Sequence, residues 1–185
     1  MLGTLSWQTE LVHRWRVGGG IIEGADLGDP GAQTLLLVQN SRRGGIVDWT
    51  PPGGVIDEGE EVLEGLTREV HEETGLAVSS WSGPIYVINA VAPGLGWQLT
   101  VEVHRAIGVA GDLLVGSDPD GIVTNADFVP VSDCPERLGG SHRWVSEPLL
   151  DWVSQRWDHT RRYNYQIEGT NLSNIRVVGD YEDPR

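Results

Sequence analysis

Residues 54–76, GVIDEGEEVLEGLTREVHEETGL, decide how the rest of this chain is read. Val62, Leu63, Leu66 and Val70 recur at helical spacing, while Glu61, Glu64, Arg68 and Glu72 point elsewhere, which predicts an amphipathic helix over 60–74. Gly75 stands where a left-handed residue closes a helix. Glu69, Glu72 and Glu73 lie at i, i+3 and i+4, so three carboxylates project from one face. Like charges at that spacing destabilise an isolated helix, and a bound cation would offset the repulsion. Donors that are all carboxylate oxygens suit Mg²⁺ or Mn²⁺ rather than zinc. A plain solvated acidic face fits the same three residues. Arg68 either orients Glu69 or offsets charge. The Gly53-Gly54 pair lets backbone approach the carboxylates and frees carbonyls for a metal.

Working outward, residues 14–23 and 34–40 read as strands on either side of a turn-rich segment. Residues 41–54 read as a loop closed by Pro51-Pro52-Gly53-Gly54. Beyond the helix, strands are expected at 76–81, 84–91 and 97–109, with a short one around Phe128–Val131 and a helix near 144–157. The tail from 158 onward is polar. Helices alternating with strands give an α/β arrangement with a mixed β-sheet. Trp97, Trp144 and Trp152 read as core residues, and His71 as a surface histidine.

Composition narrows the function classes. The 185 residues carry a formal net charge of −14, which repels a phosphate backbone and argues against a nucleic-acid polymer as partner. A small anionic substrate needs a local reversal of that field, and a divalent cation supplies one. No apolar run is long enough to cross a bilayer, so no membrane role is expected. No secretory signal is visible, and the single cysteine, Cys134, has no internal partner. The expected setting is cytoplasmic.

The quoted stretch is similar to the Nudix box, G-x5-E-x7-R-E-U-x-E-E-x-G-U with U aliphatic. Gly54, Glu60, Arg68, Glu69, Val70, Glu72, Glu73, Gly75 and Leu76 fill every fixed position. The resemblance extends more weakly over 14–157, leaving 1–13 and 158–185 as N- and C-terminal extensions. It implies a Nudix-like α/β/α sandwich and a metal-dependent hydrolase acting on the diphosphate linkage of a nucleoside diphosphate derivative. That class covers nucleoside triphosphates, ADP-ribose-like compounds and dinucleotides. It further implies that Glu69, Glu72 and Glu73 hold Mg²⁺, with the Gly53 carbonyl as a further ligand, and that Arg68 orients Glu69. Glu60 lies either behind these ligands or at the helix N-terminus, where an acid is favoured. Dimers are common in the family, so a homodimer is an expectation. A Nudix fold kept only as a nucleotide-binding or regulatory module is the competing reading, although such a module has no need of every box glutamate. An isomerase would need an acid/base or cysteine pair, and Cys134 alone supports that poorly.

Outside the box, the proton acceptor is sought either in the box itself or on the later loop carrying Asp118, Asp120 and Asp127. Relatives often carry glutamates in that loop, where this chain has Ile122 and Asn125. Trp49 either stacks on a substrate base or sits at the core edge, and Arg42 and Arg43 either contact phosphate or are solvated. Two departures are Pro51, where a large apolar residue is usual, and Gly65 mid-helix, at a cost of about 1 kcal/mol.

Overall fold

The computed structural model describes residues 13–25, 33–42, 44–116 and 119–178. In chain order the strands and helices are β1 (His13–Ile21), β2 (Glu23–Ala25), β3 (Gln33–Arg42), β4 (Ile46–Thr50), α1 (Val62–Thr74), β5 (Ala77–Ala92), β6 (Trp97–Ala110), β7 (Val123–Pro130), α2 (Cys134–Arg137), α3 (Arg143–Gln155), β8 (Arg161–Ile167) and β9 (Ile175–Val177).

Five strands form one mixed sheet in the order β1-β6-β5-β8-β9. β1 runs parallel to β6 and β8 parallel to β5, while β5–β6 and β8–β9 are antiparallel. In the second sheet β3 pairs with β7 along one edge and with β2 and then β4 along the other. Alternation along β3 divides its side chains between two cores. Leu36 packs with Leu66 and Val70 of α1, whereas Leu35 and Leu37 pack with Leu149 and Trp152 of α3. The two helices therefore cover opposite faces, which makes an α/β/α sandwich. No helix among the described residues is long and apolar enough to cross a membrane.

The expected helices and most expected strands appear within a few residues of their predicted ends. Four segments differ. The strand expected around Phe128–Val131 begins earlier, as β7 at Val123, so Asp127 lies on a strand and not on the preceding loop. The loop expected over 41–54 contains β4, reached through a tight turn whose Gly44 and Gly45 sit at φ 85° and 76°. The two strands expected at 76–81 and 84–91 are one, β5, whose pairing register shifts between Ser82 and Tyr86. The tail beyond 157 continues the first sheet through β8 and β9, and Tyr165 and Ile167 are buried in the larger core.

Candidate active site

The Pro51–Ile56 segment lies along β1 and is tied to it by backbone. Gly20 donates to the Pro52 carbonyl at 2.8 Å, Gly18 to the Gly54 carbonyl at 3.0 Å, and Ile56 to the Arg16 carbonyl at 2.9 Å. Glycine is required here because α1 comes down on the same strand. A Cβ on Gly18 would meet the Leu66 Cβ at 3.0 Å, and one on Gly54 would collide with the Glu69 carboxylate. The turn is thereby held between β1 and the acidic face of α1. Gly53 N–H donates to Glu73 Oε2 at 2.7 Å, and Glu73 is itself buried.

Arg68 organises the remaining acids. Its Nη1 donates to Glu69 Oε1 at 2.8 Å and lies 3.4 Å from Glu72 Oε2. Its Nε and Nη2 donate to the two oxygens of Glu60 at 3.1 and 3.0 Å. Glu60 also accepts from the Asp57 amide at 3.1 Å. The Arg68 hydrogen bonds, followed by that amide, hold Glu60 below the usual carboxylate range. Glu60 thus engages Arg68 from just ahead of α1, a position that both of its expected readings allow. Glu69 goes the other way. Burial pushes its carboxyl up, Arg68 pulls it partly back, and the charges of Glu72 and Asp120 push it up further.

Among the described residues no three His, Cys, Asp or Glu side chains converge into a ready-made metal cluster, and the Arg68 guanidinium bridges Glu69 and Glu72. The donor chemistry nevertheless suits a hard cation. The side-chain acceptors of Glu69, Glu72 and Glu73 are all carboxylate oxygens, and the Glu69 carboxyl is raised chiefly by burial, with the charges of Glu72 and Asp120 adding to it, a cost that a cation would relieve.

Against the other side of Gly53 and Gly54 opens a cleft of about 480 Å³ between the two sheets. Its floor is the odd-numbered face of β1 and β6, where Trp15 pairs with Leu99 and Val17 with Val101. Its opposite wall is Arg42, Asp48 and Thr50, joined by His142 and Trp144 at the start of α3. Leu172, from the loop between β8 and β9, closes one end. A ligand in the cleft that passes over Gly53-Gly54 meets the acids of α1.

The anticipated residues fall in different places. Glu69, Glu72, Glu73, Arg68 and Gly53 are brought together, and Asp120 is close enough to bear electrostatically on Glu69. Asp127 lies elsewhere. Its neighbours Ala126 and Phe128 face the α1 core, so parity puts Asp127 on the opposite face, 3.5 Å from Arg137. Trp49 is also turned away from the cleft. Asp48 and Thr50 face the cleft, so the residue between them points into the core, where the Trp49 ring is covered by the Arg137 guanidinium at 4.5 Å. Arg42 does line the cleft, but its Nε is engaged by Asp48 at 2.6 Å. Arg43 and Asp118 lie outside the described residues.

Four residues that the sequence did not single out for the site line the cleft: Trp15, Asp48, His142 and Leu172. Trp97 and Trp144, read as core, also contribute to its wall, with Trp144 stacked on His142 at 4.2 Å.

A family model described as the NUDIX domain matches residues 24–148. MutT4 of Mycobacterium tuberculosis, named as a mutator protein, is 32% identical over 141 residues, which is 72% of this chain and 52% of that protein. The mouse 8-oxo-dGDP phosphatase NUDT18 is 29% identical over 104 residues, 56% of this chain and 30% of that protein. The chain therefore spans about half the length of the first relative and under a third of the second. Among solved structures, the mutator MutT protein of Bacillus halodurans superposes with a TM-score of 0.61 at 22% identity, covering 88% of this chain and 97% of that one. The MutT NUDIX hydrolase of Burkholderia pseudomallei gives 0.59 at 22% identity, covering 75% and 97%. At that identity the likeness speaks for the fold. The family match runs from β2 into α3 and contains the whole box, and on it this chain belongs to the NUDIX family.

Proposed function

We propose that the chain is a hydrolase that cleaves the diphosphate linkage of a nucleoside diphosphate derivative with the help of Mg²⁺ or Mn²⁺. The observation that carries this reading is the position of Gly53-Gly54, with the acids of α1 on one side and an aromatic-lined cleft on the other. Glu69, Glu72 and Glu73, with the Gly53 carbonyl, would hold the metal. When bound, such an ion polarises a phosphate oxygen and lowers the pKa of a coordinated water. Arg68 positions Glu69, and Glu60 positions Arg68. Glu69 and Asp120 are the candidate proton acceptors, and the raised carboxyl of Glu69 brings its basicity closer to that task near neutrality. The placement of Asp127 on the far face favours both over it.

Names among the relatives support the substrate class without narrowing it. NUDT18 is named for 8-oxo-dGDP, bovine NUDT17 for m7GpppN-mRNA at 36% identity over 78 residues, and a mouse relative for bis(5'-nucleosyl)-tetraphosphate at 52% identity over 45 residues. Each name denotes a nucleotide with a phosphoanhydride bond. The test is a panel of nucleoside di- and triphosphates, ADP-ribose and dinucleoside polyphosphates, assayed with Mg²⁺ and with a chelator. Phosphate-containing products that vanish on chelation are expected from at least one compound. Turnover that is absent throughout, or indifferent to chelation, overturns the reading.

A further inference from the structure

The turn between β8 and β9 ends the cleft, and it is tied down on every side. Glu168 N–H donates to the Asn174 carbonyl at 2.9 Å, and Asn174 N–H to the Asn171 carbonyl at 3.0 Å. The Asn171 side chain accepts from the Ser173 amide at 2.9 Å. Gly169 lies so close to the β5–β6 turn that a Cβ on Gly94 would fall 2.3 Å from its carbonyl oxygen. Leu172 and Ile175 pack against the larger core. Leu172 is thus anchored while its side chain forms part of the cleft lining.

Strand register places Leu172 at the end remote from the acids of α1. Gly53 sits against Gly18 and Gly19. From Gly18 the floor runs back along β1 through Trp15 to His13, which pairs with Trp97 beside the β5–β6 turn. At ~3.3 Å per residue that is about 17 Å, the span of one nucleoside with its diphosphate. β8 runs parallel to β5 with Gln166 opposite Val91, so the β8–β9 turn lies at this same far end. The lining there is apolar. Trp97 and Trp144 meet edge to face at 6.2 Å, and Leu99 lies on the floor opposite Trp15. An apolar stop on a fixed support selects by size.

We propose that Leu172 is a specificity-determining residue: it stops the cleft one nucleoside away from Gly53-Gly54 and excludes bases enlarged on the edge farthest from the ribose. This rests on the nucleotide reading above and adds a size limit to it. Leu172 lies beyond the matched residues 24–148, so the limit is set by the C-terminal extension and not by the part shared with the family.

The test is a binding titration of the full chain with a chelator present, so that hydrolysis does not enter. The probes are ADP beside 1,N6-etheno-ADP and GDP beside 1,N2-etheno-GDP, each modified base carrying one extra ring on its far edge. For whichever pair binds more tightly, wild type should prefer the unmodified compound by roughly 10-fold or more. Leu172→Ala should bring the two within about 3-fold, chiefly by gaining affinity for the etheno compound. A preference caused by lost hydrogen bonds would not be relieved by shortening Leu172. Leu172→Met, which conserves volume, should keep the wild-type ratio. Leu172→Val serves if the Ala variant is poorly folded. Wild type that binds both members equally, or neither, overturns the proposal. So does a folded Leu172→Ala that keeps the wild-type ratio, or a Leu172→Met that loses it. A size preference without turnover would retire the hydrolase reading and leave this one standing, whereas turnover without size preference would do the reverse.

Discussion

The Gly53 amide donates to Glu73 Oε2 at 2.7 Å, which ties the turn before α1 to the last turn of α1. On the proposed function Glu73 has two roles, and a single substitution separates them. Glutamine keeps an oxygen that accepts from Gly53 but removes the charge offered to a metal. Glu73→Gln is expected to lower turnover by roughly 100-fold or more while shifting unfolding free energy by less than about 1 kcal/mol. Steady-state kinetics beside urea denaturation checks both. Unchanged turnover removes Glu73 from the site.

Gly65 yields a prediction whose sign is opposite to helix propensity. In an open helix face, Gly→Ala gains about 1 kcal/mol. Here the added Cβ would lie 2.6 Å from Glu60 Oε2 and 2.8 Å from Ile56 Cδ1. The backbone of α1 is held against Ile56, which is itself bonded to β1, and Glu60 is held by Arg68. Gly65→Ala should therefore destabilise by about 1–3 kcal/mol and loosen Arg68 as well. Equilibrium denaturation decides, and a stabilised variant would show that the loop yields freely.

That glycine also shows how much was legible beforehand. The helix, its closing Gly75 and the shared face of the acids followed from spacing alone, because α1 is regular and its apolar stripe is long enough to read. Gly65 looked like a flaw because its reason lies on another segment. β4 was hidden because its cleft-facing residues, Asp48 and Thr50, are polar, and on its other face only Trp49 is buried while Val47 is 50% exposed, so no clean alternation survives. β8 did leave a signal, with Tyr163, Tyr165 and Ile167 alternating against Arg162, Asn164 and Gln166, but it is short and flanked by polar residues. The cleft was not legible at all. Trp15, His142 and Leu172 are far apart in the chain and meet only through sheet order and the docking of α3.

Stability should depend on pH through His104. It is 5% exposed, and burial pushes its pKa below the usual 6.5, with Glu102 at 3.5 Å offsetting this only in part. In the unfolded chain the imidazole titrates near 6.5, so between that value and the lower native one the unfolded state binds more protons. Stability from this group is fully present above 6.5 and is lost as pH falls towards the native value. His142 is lowered as well, chiefly by burial, and adds a slope of the same sign. The melting temperature should fall from about pH 7 to about pH 5.5, and His104→Gln should flatten part of that fall. A variant with the wild-type slope would place the acid sensitivity elsewhere.

Trp15 and Trp49 make the sharpest contrast, because composition treats them alike and the fold does not. Trp49 is 9% exposed, lies in the larger core, and has Arg137 over its ring. Trp15 is 47% exposed on the cleft floor, on the edge strand β1. Truncating a buried Trp removes its burial and leaves a cavity, so Trp49→Ala should cost about 3–5 kcal/mol of stability. Losing a stacked base is worth about 1–3 kcal/mol, so Trp15→Ala should raise KM roughly 5- to 150-fold with kcat little changed, since stacking holds ground and transition states alike. Denaturation and steady-state kinetics on both variants separate the roles. A Trp15→Ala protein with normal KM for every active nucleotide would leave the floor of the cleft without a function in binding. A Trp49→Ala protein of native stability but raised KM would return the stacking role to the residue that the sequence first suggested.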